Sequence, residues 1–476
     1  MKFIKGNQRA SFILLLCALH LPFVFESFWY DEAALVENAH SLEIFALNDG
    51  LNWLQSVPPG YFLISKLFLA LPLGIYLGRL FSLVLLMASA IIVDKYVVPA
   101  ESKKQTRFLI IGILMINSSS LKYGTDFKPY TAELFFSLAF IAVSKNPTLR
   151  KFLVLSLLAP WFGATTFILG FASIVLTIFK SRKRIYAIPL FILLTNTFLV
   201  STITPLNTQK EFKIAWFGNQ EDSVFNSVKS AVGGLLWFPT SGLGWVSDNQ
   251  FGAQTYFVSG LVMIVVFFTI LMYSRSDSNF LILILGFTLI TAMHALRILP
   301  AAGRLFLGLS ALLVVVFFAS TERFATTQKS RVIIAGLVIA ICTLSLSFKI
   351  ANSSVLETSL PTSTQMRIYS DIDNAPEIKY LASKESKVLE PSIIVGVSNK
   401  KVLTCSDTSF YEGDLVVTWL DDLDEVSDTF GKRVFKKLGT RNNGSLVFEV
   451  QNTYVSSTTL AIQDNLDCKY RFRNAR

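Results

Sequence analysis

Two adjacent carboxylates follow the first long apolar segment, in the stretch ESFWYDEAALVENAH at residues 26–40. Asp31 and Glu32 come directly after three aromatic residues, at an expected membrane boundary. One interpretation is a solvated loop, or an acidic first turn of the next helix. The other is a catalytic carboxylate that faces the far side of a membrane. Neighbouring helical residues point about 100° apart, so the two acids would not share one task.

Further charged residues occur at the same predicted membrane face. The stretch LKYGTDFKPYTAE at residues 121–133 contains Asp126, Lys128 and Tyr130, while Arg79 and Arg304 come at the starts of other apolar runs. A charged side chain inside hydrocarbon costs about 2.5–3.5 kcal/mol on insertion scales. Each cation alone could extend to the lipid headgroups. Their convergence opposite an acidic loop instead predicts a polar cavity.

The composition indicates where these residues must be held. The 476 residues are 52% hydrophobic and 16% charged, with a mean hydropathy of +0.52. Soluble domains carry about 25% charged residues, so the chain is predicted to be an integral membrane protein. The net charge of +10 does not indicate a nucleic-acid binder, because the lysines and arginines occur mostly in short loops between apolar runs.

Basic loops mark the side that should be cytoplasmic, and they predict a polytopic α-helical membrane protein of about eleven crossings. The N-terminal segment lacks a clear signal-peptide cleavage site, so it is interpreted as an uncleaved first span with a cytoplasmic N-terminus. The C-terminus is then expected to be extracytoplasmic. The predicted spans are 11–27, 76–98, 107–121, 130–144, two arms within 151–179, 185–203, 255–273, 279–294, 303–320 and 331–349.

Two segments depart from regular spans. Between Pro59 and Pro72 there are only about a dozen apolar residues, too few for a crossing of about 20. They predict a short interfacial helix within the first outer loop, residues 28–75, with Lys66 reaching the headgroups. Residues 151–179 have basic clusters on both sides, so they should cross and return near Pro160 and Gly163, or form a re-entrant hairpin.

The composition after about residue 350 becomes that of a soluble domain, which gives predicted domains of 1–350 and 351–476. In the second domain PEIKYLASK predicts a helix, and SIIVGVS, DLVVTWL and SLVFEV predict strands of a small extracytoplasmic α/β fold. Cys405 and Cys468 are either a disulfide or two free thiols.

The order of several motifs resembles the GT-C class of membrane glycosyltransferases. It is most similar to the bacterial branch related to protein O-mannosyltransferases and to the aminoarabinose transferase of lipid A. The similarity covers about residues 1–350. Its motifs are FWYDEAALVENA, LQSVPPGYFLISKLF, LGRLFSL, KYGTDFKPYTAELFFSL and PAAGRLFLGLSALL.

The resemblance implies transfer of a hexose or pentose from a polyprenyl-phosphate donor, with inversion, on the extracytoplasmic face of the bacterial inner membrane. Asp31 would be the general base, and Glu32 would orient the acceptor or the base. The remaining implied positions lie around the lipid phosphate: Lys128 to hold it, Tyr130 to line its site, and Arg79 and Arg304 to add positive charge. Asp126 stands where many relatives place Glu.

A transporter or flippase of a lipid-linked or small polar substrate is the alternative. Such proteins place ionisable residues at the midplane of broken spans and show internal repeats, whereas this chain shows no repeat. No cofactor is indicated, and no metal-ligand spacing appears, although a divalent ion between Asp31 and the donor phosphate is conceivable. Expected partners are the donor, a lipid, polysaccharide or protein acceptor, and membrane lipids.

Overall fold

The computed structural model describes residues 2–25, 35, 38–39, 57–163, 165–203, 277–299 and 307–324, together with the backbone of five strands between residues 378 and 450. The chain divides into two units. The first comprises residues 1–26, 43–50 and 56–353, and the second comprises 27–42, 51–55 and 354–476.

The first unit is helical throughout its described part. A 3-10 turn, Leu21–Phe25, follows the first helix, and a π-helical turn, Val93–Val97, follows the third. The helices in chain order are α1 Lys2–His20, α2 Pro59–Leu69, α3 Gly74–Ile92, α4 Lys104–Ile116, α5 Ser118–Tyr123, α6 Tyr130–Lys145, α7 Leu149–Phe162, α8 Thr166–Ser181, α9 Ala187–Ile203, α10 Ser278–Ala295 and α11 Leu307–Phe324.

Four described segments are long and apolar enough to cross a membrane: Gln8–Phe25, Gly74–Val97, Arg184–Ile203 and Ser278–Ala295. They coincide with four predicted spans. Leu14 and Leu15 on α1 and Phe191 and Phe198 on α9 are at least 60% exposed, which suits a surface that faces lipid. The predicted spans 255–273 and 331–349 lie outside the described residues.

The predicted span 107–121 was wrong in one respect, because its helix is interrupted at Asn117. The Asn117 amide donates to the carbonyl oxygen of Ile113 at 2.7 Å, and its side-chain oxygen accepts from the backbone N–H of Ser120 at 2.9 Å. A single side chain thereby ends α4 and starts α5, as Asn residues do at helix boundaries.

The short helix predicted between two prolines is confirmed as α2. Pro59 occupies its first turn, where a missing N–H has no consequence. The chain then turns into α3 through Leu73, whose φ of 60° is left-handed, and Gly74, where a Cβ would collide with the carbonyl oxygen of Phe68. This tight turn fixes the start of α3, the helix that carries Arg79.

The hairpin predicted at 151–179 is also confirmed as two helices, α7 and α8, which meet at Gly163. Their 14 and 16 residues correspond to about 21 and 24 Å, less than the roughly 30 Å of a hydrocarbon core. Phe140, Phe152 and Ile174 belong to the apolar core that joins this hairpin to α6 and α9.

The end of the helical unit where α3 finishes contains a buried ion-pair network. Asp94 is 6% exposed, and its carboxylate oxygens lie 3.2 Å from Arg9 Nη1 and 3.3 Å from Arg107 Nη1. Arg107 also donates to the carbonyl oxygens of Asp94 and Pro99. The network joins α1, the π-helical turn and α4.

Replacing Asp94 with alanine is expected to lower the free energy of unfolding by about 3 kcal/mol, because it leaves the buried Arg107 cation without its carboxylate. Thermal or denaturant unfolding of the purified protein measures the change. Glu322→Ala is the matched control, since Glu322 accepts one exposed hydrogen bond from the Lys103 N–H and its loss should cost under about 1 kcal/mol. Equal losses in the two variants would contradict the expectation.

The second unit contains a mixed five-stranded sheet of order β2-β1-β3-β5-β4. β1 pairs in parallel with β2 and β3, while β5 pairs antiparallel with β3 and β4. The strands are β1 Ile378–Tyr380, β2 Val402–Leu403, β3 Leu415–Thr418, β4 Phe435–Thr440 and β5 Leu446–Val450.

The strands predicted in DLVVTWL and SLVFEV are confirmed as β3 and β5. The helix predicted in PEIKYLASK was wrong over 378–380, which form β1. Because β1 has hydrogen-bonded neighbours on both sides, sheet pairing overrides local helix preference there. The SIIVGVS strand, Cys405 and Cys468 lie outside the described residues, so the disulfide and the domain boundaries stay predictions.

Candidate functional site

Three of the predicted site residues lie in or beside the turn that joins α5 to α6. Thr125 Oγ1 donates to the carbonyl oxygen of Leu121 at 3.0 Å, and the Lys128 N–H donates to the carbonyl oxygen of Asp126 at 2.9 Å. Pro129 then precedes α6, whose first residue is Tyr130. The chain is thus folded back on itself with Asp126 and Lys128 held by a local hydrogen bond.

These polar side chains are enclosed by the helical unit. The exposed fractions are 7% for Asp126, 2% for Lys128, 8% for Tyr130 and 1% for Arg79, and each of the four interacts with neighbouring groups. Cations that reached the headgroups would extend away from the protein. That interpretation is therefore wrong for Arg79 and Lys128. Buried charges of this kind are rare outside paired or functional sites.

Phe127, which lies between Asp126 and Lys128, fixes the turn against α2 and α3. Its ring centroid lies 6.0 Å from the ring centroids of Tyr61 and Phe68 on α2. On α3, Gly78 lets the same ring approach so closely that an added Cβ would sit 2.5 Å from ring carbons. The aromatic contacts therefore bring the turn to the start of α3, directly beside Arg79.

Gly78→Ala is expected to lower the free energy of unfolding by about 1–3 kcal/mol, because the Phe127 ring must move away from the new methyl group. Gly112→Ala is the matched control. Gly112 also lies within a helix, but its nearest neighbour would be Phe12 at 4.0 Å, so alanine there should stabilise by about 0.5–1 kcal/mol. Thermal unfolding measures both. A neutral Gly78→Ala would show that the turn is not tightly held on α3.

Arg79 also fixes the end of the first span. Its Nη1 donates to the carbonyl oxygen of Val24 at 2.8 Å. Val24 lies in the 3-10 turn Leu21–Phe25, immediately before the predicted catalytic stretch. A guanidinium has five N–H donors, so this contact uses one of them. Arg79 therefore holds the 3-10 turn that follows α1 against the start of α3.

Glu133 is a buried carboxylate beside the turn, and it was not among the predicted site residues. It lies one turn after Tyr130 on α6, 5% exposed, and its Oε2 accepts a 2.7 Å hydrogen bond from Thr165 Oγ1. Gly163 leaves room for the Glu133 side chain. The feature of the sequence that could have revealed Glu133 is an acidic residue within an apolar helix. It lies three residues after Tyr130 and hence on the same helix face.

The remaining predicted residues have different outcomes. Asp31, Glu32 and Arg304 lie outside the described residues, so their roles stay predictions.

His20, expected to be a packed side chain, is fully buried and donates from Nε2 to the carbonyl oxygen of Met115 at 2.8 Å. Within the described part of the chain, no group of three or more His, Cys, Asp or Glu residues could hold a metal ion.

No protein-family model matches the chain, and no curated protein matches its sequence. Among solved structures it is similar to ArnT from Cupriavidus metallidurans in the apo state, with a TM-score of 0.50 and 9% identity over 94% of this chain and 98% of that one. ArnT bound to undecaprenyl phosphate gives a TM-score of 0.42 and 13% identity, with coverages of 95% and 98%. The apo comparison confirms the expected fold: the chain folds like ArnT, a GT-C protein.

Proposed function

We propose that this chain, with its GT-C fold, is a membrane glycosyltransferase. It moves a sugar from a polyprenyl-phosphate donor to an acceptor hydroxyl, on the face where α3 and α6 begin. The observation that carries the proposal is the burial of two cations, Lys128 and Arg79, on either side of the Phe127 packing contact. ArnT, which shares the fold, is a lipid A aminoarabinose transferase.

Buried cations suit a reaction whose leaving group is a phosphate. When the bond between the sugar C1 and the phosphate oxygen breaks, negative charge develops on that oxygen. A fixed cation in a site that excludes water stabilises this charge far more than it would in water. Lys128 and Arg79 are shielded from solvent, as this role requires, and Arg304 is proposed as a third cation. Tyr130, at the start of α6, is proposed to line the same site.

The acceptor side of the reaction is assigned to the stretch after the first span. The acceptor oxygen attacks C1 on the face opposite the phosphate, so the configuration inverts, and Asp31 takes the hydroxyl proton. Glu32 is proposed to orient the acceptor. Asp126 is proposed to act from the turn, beside Lys128. The hydrogen bond from Arg79 to Val24 fixes the end of the first span, seven residues before Asp31 in the sequence.

A transporter of lipid-linked substrates is the competing function. It would require ionisable residues at the centre of broken spans. In the described part of the chain, Arg79 lies near the start of α3, and Asp126 and Lys128 lie in the turn before α6. Helix ends that hold buried charge fit a site at one membrane face better than a pathway through the midplane.

The decisive experiment uses membranes that contain the protein and a panel of radiolabelled polyprenyl-phosphate sugars. Release of polyprenyl phosphate with label in a lipid, polysaccharide or protein fraction supports the transferase. Membranes without the protein are the control. Label that stays on the polyprenyl carrier but crosses the bilayer only when the protein is present would overturn the transferase in favour of the transporter.

A further inference from the structure

A polar cavity lies at the end of the helical unit where α3 and α6 finish. It has a volume of about 820 Å³, within the range of small-ligand sites. It is lined by residues 94–102, which include most of the π-helical turn, and by residues in or next to α1, α4, α6 and α10.

This cavity is separate from the candidate active site. Tyr130 and Lys145 are the first and last residues of α6, and Lys145 lines the cavity. Fifteen residues of helix at 1.5 Å each place the two about 22 Å apart along the axis. The cavity therefore belongs to the opposite membrane face, which the basic loops predict to be cytoplasmic.

The cavity wall carries more positive than negative charge. Five basic residues line it, Arg9, Lys95, Lys104, Arg107 and Lys145, against three acidic ones, Asp94, Glu101 and Asp277.

Part of that positive charge is already neutralised within the protein. Arg9 and Arg107 are both bound to Asp94, Arg107 also donates to backbone carbonyl oxygens, and Lys145 Nζ lies 3.9 Å from Asp277 Oδ1. The other two basic residues of the cavity, Lys95 and Lys104, form no ion pair with a carboxylate in the described part of the chain.

Two lysines are available to a ligand. Lys95, in the π-helical turn, is exposed and makes no hydrogen bond or ion pair within the described part of the chain. Lys104 is exposed at the start of α4 and donates to the neutral Gln8 side chain, with its Nζ 5.4 Å from the Phe108 ring centroid. Neither ammonium group is paired with a carboxylate among the described residues.

The surroundings of these lysines suit a lipid. Tyr96 lines the cavity and is 52% exposed, as an aromatic residue at the headgroup level of a membrane would be. On the same helical segment, Val84 is 52% exposed and offers an apolar surface to an acyl chain. Basic pockets between spanning helices on the cytoplasmic side bind anionic headgroups.

We propose that this cavity binds the headgroup phosphate of an anionic phospholipid, with Lys95 and Lys104 as its ligands and Arg9 at its rim. The acyl chains lie along the exposed apolar surface of α3. This site is independent of the glycosyl transfer proposed above, because none of its residues belongs to that site.

Lipid binding to this cavity can be tested by native mass spectrometry of the full-length protein in detergent. The protein is titrated with phosphatidylglycerol or with zwitterionic phosphatidylcholine. The expected result is preferential retention of phosphatidylglycerol. Each lysine is expected to contribute about fivefold to the binding constant, so Lys95→Ala should bind about fivefold less and Lys95→Ala with Lys104→Ala about 25-fold less. Lys95→Ala alone removes no contact with the described residues, so its folding should be unaffected.

The matched control removes two positive charges from the same end of the unit, outside the cavity, through Arg150→Ala and Lys151→Ala at the start of α7. Retained binding in this control supports a defined site. Equal loss in both double variants, or no loss in the lysine variants, would overturn the proposal. Displacement of the lipid by millimolar glycerol 3-phosphate would overturn the lipid assignment and indicate a site for soluble phosphates.

Discussion

Replacing Asp31 with asparagine is expected to reduce sugar transfer by about 1,000-fold while the protein stays folded. A positioned general base contributes roughly 10²- to 10⁴-fold, and an amide cannot accept the acceptor's proton. Asparagine has nearly the same shape as aspartate, so the loss should appear in kcat with little change in donor binding. The measurement is the initial rate of label transfer from the polyprenyl-phosphate sugar that the wild type uses best.

The matched control is Asp49→Asn, which removes a carboxylate from the same predicted outer loop and should leave the rate within about twofold, since the loop acid is assigned no proton transfer. A rate for Asp31→Asn close to that of the wild type would remove Asp31 from the base role. Glu32→Gln would then be the next variant to measure, because helical neighbours face different directions.

Replacing Lys128 with methionine is expected to lower transfer by about 100- to 1,000-fold, which is the usual effect of removing one group that stabilises developing charge. Methionine is unbranched like lysine and suits the buried position, where the lysine is 2% exposed. Because the donor already carries its phosphate before the reaction, the donor KM should also rise. Initial rates across a range of donor concentrations separate the two effects.

Lys66→Met on α2 is the control for that variant. Lys66 is partly exposed, with its Nζ 5.7 Å from the Phe62 ring centroid, and lies on the helix that packs against Phe127 through Tyr61 and Phe68. A loss at Lys128 without a loss at Lys66 supports phosphate binding by the buried cation. Normal transfer by a folded Lys128→Met protein would reject that role.

The helices were largely predictable because apolar run length and flanking charge are local signals. The run between Pro59 and Pro72 is too short to cross, and the structure has α2 there. The break at Asn117 was missed because the surrounding residues are apolar, and hydropathy does not register the side-chain hydrogen bonds that end α4. At Ile378, local helix preference was outweighed by pairing with two strands distant in sequence.

The candidate site was predictable in its residue types but not in its packing. The sequence indicated that Arg79 and Lys128 belong to one face, yet it left open whether they reach the headgroups or turn inward. That outcome depends on the contact of Phe127 with Gly78, which joins residues about fifty positions apart. Glu133 was missed for the same reason, since its partner Thr165 is 32 residues away.

The ion-pair network at Asp94 has a consequence for how the chain is made. Arg9 precedes Asp94 by 85 residues, so at ordinary translation speeds the ribosome needs roughly 4 to 17 s to supply its partner. During that interval the nascent first helix must keep Arg9 in water, and hence at a shallow depth in the bilayer. Arg107 follows only 13 residues after Asp94. Asp94 and Arg107 are therefore synthesised almost together, and the network can close only after α1, α2 and α3 have all been made.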